Sequence, residues 1–137
     1  MKKIIVPLLL LALLISCTTN DNTIPDSHEI LGKWKLVETF EDPGDGSGVF
    51  EPVESNQVIE FFKNGKFETN GSSCYLGSQG DSSSSGHFNV SQNVIYFDGD
   101  CEFNNNPEVI FSIENSYLII GWRSCIEGCY NKYEKLE

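Results

Sequence analysis

Basic side chains are scarce in this 137-residue sequence, which holds nine lysines and arginines against 20 aspartates and glutamates. Arg123 is the single arginine. Two of the lysines, Lys2 and Lys3, lie in an N-terminal segment that we expect to be removed, and the remaining chain then has a net charge of −13. Because proteins bind nucleic acid by neutralising its phosphates with basic side chains, this balance argues against a nucleic-acid partner.

Histidine is also scarce, and the usual sequence signatures of catalysis are missing. His28 lies in a polar segment and His87 at the start of a predicted strand, so the two do not make a metal site and neither has an evident nucleophile beside it. The serine run at 82–85 has no G-x-S-x-G context, and we interpret it as a flexible loop. We therefore expect a protein that is not an enzyme and that uses no metal ion or cofactor.

The N-terminal segment has the pattern of a signal peptide. Residues 1–16 begin with two lysines, continue with an apolar run too short for the ~20 residues of a membrane-spanning helix, and end directly before Cys17. The motif L-I-S-C at this point resembles the lipobox of bacterial lipoproteins. By that resemblance the mature chain begins at a lipid-modified Cys17, which anchors the protein to a membrane of the cell envelope. The alternative is a secreted protein with a chance cysteine at its cleavage site.

The mature chain is long enough for one domain and too short for two. Residues 17–29 are polar and are predicted to form a flexible tether from Cys17. The folded domain is therefore expected to span residues 30–137, and we expect it to be a monomer.

Short apolar runs recur along this domain, and no useful window has helical spacing. The runs are rich in β-branched and aromatic residues and are separated by turn signals, which predicts an all-β fold. We predict eight strands, at residues 31–40, 57–62, 66–69, 86–90, 94–97, 108–113, 117–122 and 129–136.

The connections between these strands alternate between long and short, apart from an intermediate last one at 123–128. The short ones include Asn64-Gly65, a strong signal for a two-residue hairpin. In an up-and-down meander, successive connections lie at opposite ends of the sheet. The pattern thus predicts an antiparallel eight-stranded barrel with tight turns at its floor and long loops at its mouth, closed so that no sheet edge is left open.

At this point the sequence resembles a known family. Gly32 and Trp34 match the G-x-W signature of lipocalins, and three segments (31–53, 58–70 and 125–136) resemble the small lipocalin-like lipoproteins of Gram-negative envelopes. The resemblance implies a lipocalin-like barrel whose floor is closed by Gly32 and Trp34. Lipocalins place an arginine late in the last strand against this tryptophan. Here that strand has no arginine, and Lys132 or Lys135 is the candidate substitute.

The stretch DPGDGSG at 42–48 lies in the first mouth loop. Calcium loops place acidic residues at close alternate positions, whereas Asp42 and Asp45 are three apart with only Glu41 beside them. A phosphate loop needs a following lysine and helix, which are absent. We interpret the stretch as a flexible connection rich in turn residues.

Two classes of function remain open. In the first, the barrel holds a small apolar ligand; in the second, it is a non-enzymatic protein-interaction or inhibitor module that acts through its mouth loops. The mouth loops contain ten acidic residues against Arg123 alone, which favours neutral or cationic ligands over anions. An internal void of ~300 Å³ or more would favour the first class, and a filled interior the second.

The remaining cysteines are even in number, at Cys74, Cys101, Cys125 and Cys129. Their extracytoplasmic setting favours disulfides, and the lack of a C-x-x-C pair argues against zinc. The meander places all four at the mouth. Of the three possible pairings we favour Cys101 with Cys125, whose loops adjoin across the sixth predicted strand, and Cys74 with Cys129, which would pull the serine-rich loop over the opening.

Overall fold

The computed structural model describes residues 27–71, 82–99 and 109–137. Within these ranges the chain forms one helical turn, α1 (Ser27–Ile30), followed by antiparallel strands. The strands are β1 (Gly32–Glu41), β2 (Phe50–Pro52), β3 (Val58–Phe61), β4 (Lys66–Thr69), β5 (Ser84–Asn89), β6 (Val94–Phe97), β7 (Val109–Glu114), β8 (Tyr117–Trp122) and β9 (Cys129–Lys135).

Eight of these strands close into a barrel. From β3 to β9 each strand pairs with the next one along the chain, and β1 pairs with β3 on one side and β9 on the other. The seam between β1 and β9 is long, running from the pair Trp34–Lys135 to the pair Glu41–Cys129. The predicted all-β, eight-stranded, up-and-down barrel is confirmed.

Strand β2 was not predicted, because its residues fall in what the sequence indicated to be a long loop. It pairs with the upper part of β1, with Phe50 opposite Phe40. All three of its residues are exposed, so it lacks the alternation of apolar and polar residues that reveals a strand. It forms because the chain folds back along β1 before it enters β3, and the amide of Val53 then donates to the carbonyl of Val37.

A β-bulge interrupts the pairing of β1 with β9 between Leu36 and Glu38. Below the bulge, alternate residues of β1 point into the barrel, and Leu36 is buried there. An extra residue reverses this phase, so the upper part of β1 turns its even-numbered side chains outward. Glu38 accordingly forms an ion pair with Lys132 on the outer wall, with Nζ and Oε2 2.6 Å apart.

The floor of the barrel is closed by Trp34, as the resemblance implied. The indole is buried, and its Nε1 donates to the carbonyl of Ile30 in α1 over 2.7 Å. Lys135 lies over the ring with Nζ 5.0 Å from the centroid, and it also donates to the carbonyl of Glu29. Of the two candidate substitutes for the missing arginine, Lys135 therefore occupies the position, whereas Lys132 lies over Phe50 and Tyr117 on the outer wall.

The tight turns and the long loops lie at opposite ends, as predicted. The floor turns require left-handed backbone at Gly65, Asn93 and the pair Asn115 and Ser116. The serine run was wrongly interpreted as loop throughout. Strand β5 begins at its third residue, where the backbone of two serines pairs with β4.

The interior changes character from floor to mouth. The lower and middle layers are apolar and aromatic, and the largest rings meet edge to face; Phe67 and Phe97, for example, are 4.9 Å apart at 82°. The buried members of this core are Ile30, Trp34, Leu36, Ile59, Phe61, Phe67, Ile95, Val109, Phe111, Leu118, Ile120 and Tyr133. The buried polar side chains lie towards the mouth: Gln57 directly precedes β3, Thr69 ends β4 and Asn131 lies near the start of β9.

Candidate functional site

The DPGDGSG loop is organised by the carboxylate of Asp42. Its Oδ1 accepts hydrogen bonds from the amides of Gly44 (2.7 Å) and Gly46 (3.1 Å), and its Oδ2 accepts one from Gly48 (3.0 Å). Asp45 repeats the motif on a smaller scale by accepting from the amide of Ser47. The loop therefore binds its own acidic side chains through its backbone amides, and Asp42 acts as a structural residue.

These hydrogen bonds change the acidity of both carboxyl groups. The amide of Gly48, together with those of Gly44 and Gly46, stabilises the charged form and lowers the pKa of Asp42 below its usual value. The hydroxyl and amide of Ser47 lower the pKa of Asp45 in the same way. Both side chains consequently carry full negative charge at neutral pH and add to the acidity of the mouth.

A second mouth loop, at 123–128, is closed by a disulfide between Cys125 and Cys129. The favoured pairing of these two cysteines with Cys101 and Cys74 is therefore wrong, while the expectation that they are oxidised agrees with the structure. The bridge is local, because β9 begins only four residues after Cys125 and the tight loop brings the Cα atoms of the two cysteines to 5.8 Å. Cys74 and Cys101 lie outside the described residues.

The two loops pack together over an aromatic cluster on the outer wall. Phe40 contacts both Phe50 and Tyr130, with ring centroids 5.4 and 5.6 Å apart. These rings need glycine beside them, because a Cβ at Gly48 would stand 2.6 Å from Phe40 and the left-handed Gly128 lies against Phe40 and Tyr130. The β-bulge creates this cluster, since it is what turns Phe40 outward.

Three apolar side chains on these two loops and on β2 are exposed to solvent. Ile126, between the two bridged cysteines, is 99% exposed, and Val49 is 61% exposed. Phe50 is also exposed. We call these three residues the rim patch.

The mouth loops that carry the rim patch are rich in acidic residues. Of the ten mouth acids counted in the sequence, the described ones are Glu41, Asp42, Asp45, Glu51, Glu54, Asp98 and Glu127. Arg123 is the basic residue of the same loops. Asp81, Asp100 and Glu102 lie outside the described residues.

Beneath the mouth, the described interior residues leave little space. A void of about 10 Å³ lies between Gln57, Ile59, Thr69, Phe97, Ile120, Trp122 and Tyr133. That volume is at the lower limit for a single water molecule and far below a ligand pocket.

Three polar atoms in this upper layer are buried without a hydrogen-bond partner among the described residues: Gln57 Oε1, Trp122 Nε1 and Asn131 Oδ1. The amide of Asn131 donates to the hydroxyl of Tyr133 at 3.3 Å. Burial raises the pKa of that hydroxyl to about 12, so it stays neutral and available for hydrogen bonding.

Most of the other residues singled out in the sequence lie within the described part of the structure. Gly32 begins β1 with a φ of 106°, a backbone conformation that favours glycine, and Trp34 follows it as the floor residue. His28 lies in α1, and His87 stacks on Tyr96 in the barrel wall. Cys17 lies outside the described residues. Within the described ranges, no group of three histidine, cysteine or acidic side chains is placed to hold a metal ion.

Sequence reasoning missed Ile126, Gln57 and Asn131. The two polar residues carried a usable signal, because each shares the alternate-residue phase of buried neighbours in its strand, Ile59 and Tyr133 respectively. Ile126 carried no comparable signal, since a single apolar residue in a loop does not reveal its exposure.

The fold and its floor define a class of protein: a small antiparallel barrel closed by a tryptophan of its first strand. The model of the lipocalin-like domain family matches residues 30–120, and the chain belongs to that family. Searches of curated proteins and of solved structures found no match to the chain. In the part of the chain that the structure describes, helices long and apolar enough to cross a membrane are absent.

Proposed function

We propose that this protein is a lipid-anchored envelope protein whose barrel is a rigid scaffold and whose mouth loops bind another macromolecule. The observation that carries the proposal is the filled interior. Ligand pockets for small organic molecules enclose about 300 Å³ or more, whereas the void among the described interior residues is about 10 Å³.

The organisation of the mouth loops supports the same conclusion. Asp42 orders one loop through three backbone amides, and a disulfide closes the other. Loops that are ordered before binding lose less conformational entropy when a partner binds. The residues on them therefore form a surface suited to protein recognition.

Binding of a small ligand at the upper interior is the second candidate. It is favoured by the unpartnered polar atoms of Gln57, Trp122 and Asn131, since buried polar groups ordinarily have partners. A ligand there would need hydrogen-bonding groups, and the acidic mouth favours a neutral or cationic one. The barrel would also have to widen, because the void itself does not hold a ligand.

Anchoring through Cys17 is the part of the proposal that rests on the sequence alone. The apolar run and the L-I-S-C motif support it, and the expected location is a membrane of the cell envelope. Replacing Cys17→Ala should leave unprocessed precursor in the cell. If wild type and variant are both processed and released in soluble form, the anchor is wrong, and the proposal for the mouth loops is unaffected.

The absence of any catalytic signature in the sequence supports a binding role over an enzymatic one. Native mass spectrometry of the protein purified from its own host separates the two binding candidates. We expect a lipidated chain that retains a macromolecular partner and no small molecule. A retained small molecule that is lost on replacing Asn131→Leu would instead favour the ligand site.

The second candidate has its own test in a pair of amphiphiles. A fatty acid and its alcohol are titrated at low and high salt, where the acidic mouth should discriminate against the anion only at low salt. Binding of the alcohol alone at low salt supports the ligand site. If the fatty acid and the alcohol bind equally at both salt concentrations, the charge of the mouth does not discriminate between ligands.

A further inference from the structure

We propose that the rim patch, with Ile126 at its tip, docks into an apolar pocket of a protein partner and that lysine or arginine side chains border this pocket. The inference rests on the proposed function, and it adds the contacting residues and the chemistry of the partner. It concerns the outer rim of the mouth, not the barrel interior.

The first observation is the exposure of Ile126. An isolated exposed aliphatic residue is ordinary on a protein surface. Here, however, the side chain is 99% exposed and is accompanied by Val49 and Phe50 on the neighbouring loop and strand. A cluster of this kind on the outermost loops has a cost in water that a partner's apolar pocket would remove.

The second observation is that the loop bearing Ile126 is held on several sides. The disulfide joins its two ends, and the amide of Cys125 donates to the carbonyl of Trp122 over 3.1 Å. Glu127, the next residue, lies against the Asp42-ordered loop, where a Cβ at Gly44 would stand 2.7 Å from its Oε1. Ile126 is thus presented on a loop that loses little freedom on binding, which is the property expected of an interface anchor.

The charge around the patch determines which partner fits. Glu41, Asp45, Glu51 and Glu127 are exposed on the segments that carry the patch or adjoin it. The basic side chain beside the patch, Lys132 over the Phe50 ring, is paired with Glu38 at 2.6 Å. A second copy of this chain would bring a matching acidic rim against this one, and an anionic lipid surface would be repelled in the same way. A partner pocket bordered by lysine or arginine is instead attracted, because its positive charges lie in the negative field of the acidic residues.

The arrangement corresponds to a small interface with an apolar centre and a charged border. Burying the side chain at the tip would supply affinity, and the acidic border would increase the association rate and its dependence on salt. Removing the tip should therefore weaken binding mainly through faster dissociation, whereas removing border charges should mainly slow association.

The test places a photo-crosslinking amino acid at single positions of the full-length protein in its own host. Position 126 probes the rim patch, position 98 probes a mouth loop that carries no residue of the patch, and position 136 is an exposed apolar control at the floor. We expect a protein adduct at position 126 and none at position 136. The cross-linked protein is then identified by mass spectrometry and purified for binding measurements.

With that purified protein, Ile126→Ser should weaken binding by roughly ten- to a hundredfold, as expected for an aliphatic side chain left unburied. The matched control Leu136→Ser should leave affinity unchanged. Glu127→Gln and a rise in salt from about 0.01 M to about 0.15 M should each slow association, because screening shortens the range of the acidic field from ~30 to ~8 Å. Circular dichroism of each variant shows that the barrel is intact.

Each other outcome overturns the inference in an identifiable way. An adduct with lipid or with a second copy of the chain at position 126 means that the occupant is wrong. An adduct at position 98 but not at position 126 keeps the proposed function and removes the rim patch from it. Absence of protein adducts at both mouth positions contradicts the proposed function as well. If the affinity of the partner is unchanged by Ile126→Ser and by salt, the chemistry assigned to the pocket is wrong.

Discussion

The floor and the mouth of this barrel are built on different principles. At the floor, the connections are short turns, and the buried Trp34 donates a hydrogen bond to α1 and is covered by Lys135. At the mouth, polar side chains line the upper interior, while long acidic loops are ordered by Asp42 and by a disulfide. Stability is thus expected to be concentrated at the floor, which leaves the mouth loops free to carry binding residues.

The difference between floor and mouth is tested most directly by replacing the side chain that closes the floor. Replacing Trp34→Ala deletes a buried indole and its hydrogen bond to Ile30, and we expect the free energy of unfolding to fall by about 3–5 kcal/mol. Urea denaturation measures the effect. Trp34→Phe should recover part of the loss, because it restores packing without the hydrogen bond. A loss below about 1 kcal/mol for the alanine variant would show that stability is not concentrated at the floor.

The next prediction concerns the mouth disulfide. Replacing both Cys125 and Cys129 by alanine removes a five-residue closed loop, which the chain-entropy relation values at about 2 kcal/mol. Hydrogen exchange should become faster in residues 123–128, while the turn at Asn64-Gly65 keeps its protection. Equal acceleration at both ends would mean that floor and mouth unfold as one unit. Peptide mapping without reduction should show Cys125 linked to Cys129 in the wild-type protein.

A smaller effect is expected from the cation at the floor. Lys135→Ala removes the contact with the Trp34 ring and the hydrogen bond to Glu29, and we expect a loss of about 0.5–1 kcal/mol. Lys135→Arg should retain stability, since a guanidinium stacks at least as well on an indole. Lys35→Ala, at an exposed position of the strand that carries Trp34, is the matched control. If Lys35→Ala lowers the free energy of unfolding by as much, the loss in Lys135→Ala reflects the change in net charge and not the contact with Trp34.

The smallest effect on stability is predicted for acid titration of the mouth. The pKa of Asp42 in the folded protein lies below its usual 3.8, because backbone amides hold the charged form. The contribution of ionised Asp42 to the free energy of unfolding is therefore fully present above pH 3.8 and is lost as the pH falls through the lowered pKa. Amide chemical shifts of Gly44, Gly46 and Gly48 should report the change. Asp42→Asn should abolish this titration, whereas Asp45→Asn should leave the amide of Gly48 unchanged.

Much of the fold followed from local patterns. The apolar runs rich in β-branched and aromatic residues correctly predicted the eight barrel strands, and the contrast between short and long connections correctly assigned the two ends of the barrel. Strand β2 could not be found in this way, because Phe50 and its neighbours pair with β1 but bury no face. The disulfide could not be assigned either, since four cysteines in loops at one end allow several pairings.

The sequence by itself determined the eight barrel strands, their order and the acidity of the mouth, because apolar runs, turn residues and charge are local properties. Only the tertiary structure decided that Lys135 rather than Lys132 covers Trp34, that Phe40 faces outward and that Ile126 stands in solvent. These depend on one bulge and on the packing of one loop against another. Both bring together residues that are distant in the chain, and no local pattern records such contacts.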